Sequence, residues 1–525
     1  MRLGAHSFGT IPHSSTDIDD STVPAIIDLI ADQESARSYL FHATPYDPLA
    51  AAEADVRASI GLNRPILDSA HWPAILRTAA DSQVDLFGDD EDAQGRTSFG
   101  NIELMIGSTE YDAIASYYWD SRDVEIKLGA DGFTIDEYVT VVKGTAEDII
   151  YNQRTLGIVF RGKEQLLDVP VNSNEYAGSG GLEGGIELAG NSKPLAYGSL
   201  TNISPVLVDQ DNIVYQFHDG ACESVQFAFD GGLALTFAGD VADITATTVP
   251  AGYFKTQLSG GYIKLGAEPE KLLTLDILGD NTGGYISNSS DIIKRIALND
   301  VGLAADDLNW PSFFTAYLDS SRSVSGIYIN GETAADVITE LMFSIGGAWA
   351  FNRLGKLTVY VLRKRSSSGT ITENDIVKGT FARDRTQPPS WKRRIGNQRA
   401  WTVLTDDQFL GAATSYQRNL AKLEYRYSTI STPSIKTARA GAREVQKDTL
   451  LATSSDADTE NLRQQAIFGA ATDAVSFTAR RQQFKYHSGE TITLNYPRFG
   501  LSKDMIILGI RENTSLMQTT FRLLG

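Results

Sequence analysis

The chain reads as a multidomain protein, mainly β with one α+β portion, and three observations carry that prediction. Its 525 residues are too many for one ordinary hydrophobic core. Short runs rich in β-branched and aromatic residues recur between Gly, Pro, Asn and Asp clusters over most of its length. Apolar stripes at helical spacing concentrate in one stretch, near residues 289–343. Hydrophobic residues at 42% and charged residues at 21% are ordinary globular values, which exclude a disordered or fibrous chain.

Residues 1–36 read as a leader with one short helix, where Ser21 and Thr22 offer a cap and Pro24 an early helical position before Ala25-Ile26-Ile27-Asp28-Leu29-Ile30. A first β-domain is predicted over 37–172. Its strands fall at 39–43, 56–60, 101–106, 124–128, 138–143 and 156–161, and residues 111–119 read as a short helix covering the end of a barrel or sandwich. The Gly-rich run 178–185 lacks GxGxxG spacing and a strand-to-helix context, so it reads as a loop or linker and not a phosphate cradle. With that linker, residues 173–265 form a second β-rich domain, in which Phe227-Ala228-Phe229-Asp230 is a strand and 234–238 its return.

Residues 266–365 form the α+β portion. A strand at 273–277 precedes a serine-capped helix over 291–297. A second helix at 334–343 carries Val337, Ile338, Leu341 and Met342 on one core-facing stripe and runs into a hairpin turning at Asn352-Arg353-Leu354-Gly355. Residues 366–525 form a C-terminal β-rich domain with a helix within 456–474. Its four closing strands, 476–480, 491–494, 505–510 and 518–523, are punctuated by Gly489 and Pro497.

Charge is unevenly placed. Residues 1–150 hold 27 Asp and Glu against 9 Lys and Arg, so they carry −18 of the chain's net −20. Such a region does not grip a phosphate backbone, because that affinity comes from cations displacing counterions. It suits either a soluble acidic surface or the wall of a channel along which DNA slides. No run of about 18 apolar residues predicts a membrane span, and the N-terminus has no apolar signal core. The single cysteine, Cys222, reads as a small packed residue, and it leaves no disulfide, CxxC metal site or iron–sulfur cluster within the chain.

The usual catalytic signatures are missing: HExxH, Walker A, the GxSxG elbow and the kinase set. His6, His13, His42, His71, His218 and His487 are not spaced as helical metal ligands and read as surface or packed histidines. The run Asp89-Asp90-Glu91-Asp92 lacks calcium-loop spacing and reads as a solvated loop. Carboxylate pairs for glycoside hydrolysis stay open, since 66 acidic residues permit many. One cluster stands out: Lys378, Arg383, Arg385, Lys392, Arg393, Arg394 and Arg399, with Asp384 as the one acid among them and Trp391 and Trp401 close by. It fits a contact with an acidic partner or with the chain's own N-terminal region, a solvated loop, or nucleic acid.

The most informative stretch is 193–220, KPLAYGSLTNISPVLVDQDNIVYQFHDG, which reads locally as two short strands and a turn, with Pro194 and Pro205 stopping helix. Its order of residues resembles the tail-tip or baseplate hub proteins of long-tailed phages and gene transfer agents. Those chains place Pro-Leu-x-Tyr-Gly, then Asn-(Val/Ile)-x-Pro, after a first β-domain. Asn101-Ile102-Glu103-Leu104, Tyr111-Asp112-Ala113-Ile114, Trp119-Asp120-Ser121-Arg122, residues 344–357 and Tyr496-Pro497-Arg498-Phe499-Gly500-Leu501 are similar to further segments of that family in the same order, over 37–525. Residues 1–36 have no counterpart, and no long extension follows Gly525, so a fibre or enzymatic tip is expected on a separate chain.

The resemblance implies two related β-barrel or sandwich hub domains plus a small α+β domain, and no cofactor or catalytic residue. It implies a homotrimer in the virion, assembled in the host cytoplasm. Its partners would be the six-fold tail tube or distal tail ring, the three-fold tip, fibre or spike, and the tape measure protein, with DNA only as passing cargo. A receptor- or glycan-binding tail protein and a tail-associated cell-wall hydrolase are the alternatives.

Overall fold

Alternation of apolar and polar residues builds the first sheet. The computed structural model describes residues 37–60, 66–67, 69–87, 94–130, 133–320 and 324–525, so the expected helix at 25–30 and the acidic run 89–92 lie outside the described residues. Strands β1 (Arg37–Ala43), β2 (Val56–Ile60), β3 (Leu76–Thr78), β4 (Ser82–Asp85), β5 (Arg96–Phe99), β6 (Ile102–Met105), β7 (Asp123–Ala130), β8 (Val139–Tyr151) and β9 (Thr155–Arg161) follow in chain order. Seven of them form one sheet in the order β2-β1-β7-β8-β9-β6-β3. Phe41, Ile102, Leu104, Val124, Ile126, Leu156 and Ile158 pack together in its core. Residues 109–116 form a 3-10 helix against it, where the sequence predicts a short helix. β4 and β5 form a hairpin that leaves this sheet.

The 193–220 segment forms three strands, because Pro205, lacking an N–H, ends β10 (Leu195–Ile203) and the chain restarts as β11 (Val206–Asp209) and β12 (Val214–Gln216). β13 (Cys222–Asp230), β14 (Thr236–Asp240), β15 (Tyr253–Gln257), β16 (Tyr262–Leu265) and β17 (Leu273–Asp280) complete the region. One sheet has the order β11-β12-β16-β15-β14, and in the other β17 lies between β13 and β10. Strand pairing therefore carries this region past residue 265 to Asp280. The expected return at 234–238 is divided: Leu233–Ala234 pairs back onto β13, while β14 runs parallel to β15.

The α+β portion forms as its stripes require. Helix α1 (Ser289–Arg295) is capped by Asn288, not by a serine; the Asn288 side chain accepts the Ser290 N–H. Helix α2 (Trp310–Asp319) is absent from the sequence reading, although Pro311 stands in its first turn, where proline costs no hydrogen bond. β18 (Gly326–Ile329) joins β10, and helix α3 (Ala334–Ser344) is capped by Thr333. The hairpin β19 (Gly347–Phe351) and β20 (Leu357–Val361) packs Trp349 and Val359 onto Ile338 and Leu341 in the largest core.

The C-terminal portion opens with β21 (Thr370–Thr372) and β22 (Ala382–Gln387). Residues 388–471 then form an insertion: β23 (Ser390–Asn397), a short helix at Ser415–Ala421, β24 (Arg426–Ser431), helix α4 (Pro433–Ala438), β25 (Arg443–Asp448) and helix α5 (Ser454–Phe468). Its sheet has the order β24-β23-β25. Helix α5 stops at Phe468, short of 474, because β26 (Thr472–Ala479) begins there. β27 (Thr491–Tyr496), β28 (Leu501–Asn513) and β29 (Gln518–Leu524) close the chain, and the sheet order is β21-β27-β28-β29-β26-β22.

The two large sheets repeat one topology. β3, β6, β7, β8, β9 and β22, β26, β27, β28, β29 occur in the same chain order and lie in the same spatial order, β7-β8-β9-β6-β3 and β27-β28-β29-β26-β22, all antiparallel. The long strands β8 and β28 are each 13 residues long. Each follows a 3-10 turn, and each bulges against the next strand, at Ala146/Asp148 and at Ile507/Gly509.

Gly198, in the 193–220 segment, sits at φ +72°, and a Cβ there would meet the Ser325 carbonyl oxygen at 1.8 Å. Gly379 has φ +84° with nothing within 4 Å. In urea denaturation, Gly379→Ala is expected to cost about 1–2 kcal/mol, the left-handed penalty alone, and Gly198→Ala clearly more.

Candidate assembly site

The basic cluster does not stay together. Its residues divide between two loops and two strands of different sheets, and alternation along each strand sends neighbours to opposite faces. Lys378 is exposed, and Arg383 pairs with Asp473. Arg385 lies on β22, with its side chain outside the described residues. On β23, Lys392 pairs with Glu444 at 3.4 Å and Arg394 is half-buried. Arg393 is 1% exposed; its guanidinium lies over the Phe468 ring and donates to Gln464. Arg399 stacks on Trp401 at 4.2 Å and bridges Glu340 and Glu424. Arg393 therefore serves the interior, and Arg399 a partly exposed contact, of one chain.

The N-terminal acid does meet C-terminal base, at residues the sequence reading did not single out. Hairpin strand β4 adds to β28, with Ser82 opposite Glu512 and Asp85 opposite Gly509. Asp81 accepts from the Thr514 N–H (2.9 Å) and faces Arg511, and Asp85 pairs with Arg522 at 3.3 Å. Leu86 donates to the Leu508 carbonyl and Gly95 to the Trp349 carbonyl. The hairpin thus ties both repeated units and the β19-β20 hairpin together. A cavity of about 40 Å³ lies at this junction, lined in part by Val84, Arg353, Tyr360, His487 and Glu512.

Glu512 is 1% exposed. Thr519 donates to its Oε2 (2.6 Å), and Oε1 has no protein partner. Burial pushes its carboxyl up to about 7, against the opposing Thr519 hydrogen bond. Desolvation, aided by the Arg353 guanidinium, holds the His487 imidazole down at about 3, so it stays neutral beside that cation.

A second polar joint comes from the 193–220 segment itself. The buried His218 Nδ1 accepts the Ala196 N–H, and its Nε2 faces Asp280 at 3.7 Å. Burial works to raise Asp280, but the facing His218 and hydrogen bonds from Arg295 and Thr282 hold it at about 2. Tyr197 donates to Asp300, which burial raises to about 6. These groups fasten the second β-rich region onto α1 and the turn after it. Divergent carboxylates of this kind also occur in acid–base pairs. Here each is committed to partners that join two elements. Cys222 is buried and its thiol is pushed up to about 12, the state of an unreactive packing residue. Among the described residues no His, Cys, Asp and Glu side chains gather as a metal-ligand set, and no helix is long and apolar enough to cross a membrane.

Arg393→Ala is expected to destabilise the chain by about 2–4 kcal/mol, because it leaves buried partners unsatisfied, and Lys378→Ala by less than about 0.5. For Glu512, whose ordinary value is 4.5, the folded form keeps a proton that the unfolded form has released between about pH 4.5 and 7. Stability therefore falls as pH rises through that window. Glu512→Gln should match the parent at about pH 4 and exceed it by about 3 kcal/mol at pH 8, one pKa unit being worth about 1.4. Denaturant titrations at both pH values measure this.

No family model matches the chain, and no curated protein matches it. Solved structures do. The 43 kDa tail protein of prophage MuSo2 from Shewanella oneidensis is 11% identical, with 93% of this chain and 98% of that one covered at a TM-score of 0.38. A prophage tail protein from Listeria monocytogenes EGD-e is 8% identical over 94% of each chain, with a TM-score of 0.37. A chain of a native gene transfer agent virion is 11% identical, with 64% of this chain and 84% of that one covered at a TM-score of 0.38. At these values no residue role and no activity passes to this chain. Among solved structures, what this mainly β chain is similar to is phage tail proteins and a virion component.

Proposed function

We propose that this chain is a structural protein of a phage tail tip or baseplate, the trimeric hub that joins a six-fold tail tube or distal tail ring to a three-fold tip or fibre. The observation that carries this reading is the repeated five-strand unit. One chain holds two units of the same topology, so three chains supply six comparable units on one side and threefold symmetry on the other. A ring of that kind meets two neighbours of unlike rotational order without a separate adaptor. The ordered segments that resemble tail hubs, 193–220 foremost, support the same reading.

The role is mechanical and not enzymatic. The strongly perturbed carboxylates described above sit at joints between elements, where they hold parts of the chain together. In the ring the central opening bounds part of the DNA exit path, and the acidic N-terminal region faces that passage, where its charge keeps DNA from adhering. The exposed members of the basic cluster, Lys378 and Arg383, contact neighbouring tail proteins. The protein resides in the virion after assembly in the host cytoplasm.

Sedimentation of the purified chain should give a trimer, and imaging of labelled particles should place three copies at the end of the tail tube. A monomer, or labels at the particle's periphery, would overturn the hub. Release of soluble fragments from peptidoglycan by the purified chain would overturn the non-enzymatic role.

A further inference from the structure

The two repeated units differ at one edge. In the second, the long strand β28 pairs with β27 through Ile506; beyond its bulge the same side is covered by β4, at Gly509, Ile510, Arg511 and Glu512. In the first, β8 pairs with β7 through Thr145, and beyond its bulge the matching positions are Asp148, Ile149, Ile150 and Tyr151. Among the described residues no strand covers that side. Ile150 is 63% exposed and Tyr151 62%, whereas Gly509, Ile510 and Glu512 are buried. An open strand with apolar side chains is a template for another strand.

We propose that Asp148, Ile149, Ile150 and Tyr151 take an added strand from a second copy of this chain, supplied by its 388–471 insertion. Within one chain the filling strand β4 belongs to the segment between β3 and β6. The segment in the same place in the second unit, between β22 and β26, is the 388–471 insertion. Its strand β23, the positional counterpart of β4, already has neighbours on both sides, but β24 and β25 are edges. The same link then repeats around the ring: the first unit's segment fills the second unit of its own chain, and the second unit's segment fills the first unit of the next chain. Head-to-tail contacts of this kind close at six units, that is, three chains.

Charge fits the pairing. The open edge starts with exposed Asp148 and with Glu147, which pairs with Arg161 at 3.1 Å in its own chain, in the acidic part of the sequence. The exposed end of the insertion, residues 433–443, carries Lys436, Arg439 and Arg443 and no acid. Arg439 and Arg443 make no ion pair with a described residue. Asp148 Oδ1 caps the Ile149 N–H (2.8 Å) in the single chain, which blunts the edge until a partner arrives.

The proposal rests on the trimeric hub reading, and sedimentation velocity on the full-length chain separates the two. Glu147→Lys with Asp148→Lys, and separately Arg439→Glu with Arg443→Glu, should each weaken self-association about tenfold or more while the dissociated chain keeps the parent's circular dichroism spectrum. Ile150→Ser, which leaves the charges alone, should weaken it in the same direction. An equimolar mixture of the two charge variants does not restore a closed ring, but all four substitutions in one chain should. A parent chain that stays monomeric would remove the hub reading itself. A trimer indifferent to the Glu147, Asp148 and Ile150 changes would overturn this inference alone. A trimer lost in those variants and not restored by the four-fold change would show that some other surface fills the edge.

Discussion

The addition of β4 to β28 is the constraint on which the rest of the structure depends. It joins segments more than 400 positions apart, as the Ser488 hydroxyl donating to the Val84 carbonyl illustrates. Backbone pairing fixes register, and a slip of one residue would turn Val84 and Ile510 to the wrong face. The two repeated units therefore hold one orientation to each other, set by ladder hydrogen bonds and sealed by Asp81 and Asp85 against Arg511 and Arg522. Surface pairs of this sort contribute little individually. Here they follow a pairing already fixed by backbone, so they add selectivity more than energy.

Buried polar groups in this chain serve as fasteners between parts. His218, Asp280 and Arg295 lock the second β-rich region onto α1, while Glu512 and Arg353 sit where the first unit, the second unit and the β19-β20 hairpin converge. Each such group is expensive to bury and is retained at a junction, where a fully apolar contact would fix position less specifically. These joints supply rigidity between the parts they connect.

Much of the fold was legible locally. The stripe of Val337, Ile338, Leu341 and Met342 gave α3, and the four closing strands were read in place, though β28 runs from Leu501 to Asn513 where periodicity gave 505–510. Helix α2 was missed because Trp310, Phe313, Phe314 and Tyr317 have weak helical preference, and the helix forms because Phe313 and Ala316 pack into the core. The basic run 378–399 looked like one patch since charge along a sequence says nothing about which face a strand shows. Arg393 went inward to Phe468 and Gln464, and Arg399 onto Trp401.

By itself the sequence determined most of the element types, the mainly β class and the several cores, because propensity, period and turn chemistry act over a few residues. Only the tertiary structure decided that two distant sheets share one topology, that a hairpin of the first completes the second, and that the matching edge of the first stands open. Those facts depend on which strands pair, and pairing is settled by contacts between residues hundreds of positions apart, where no local pattern reaches.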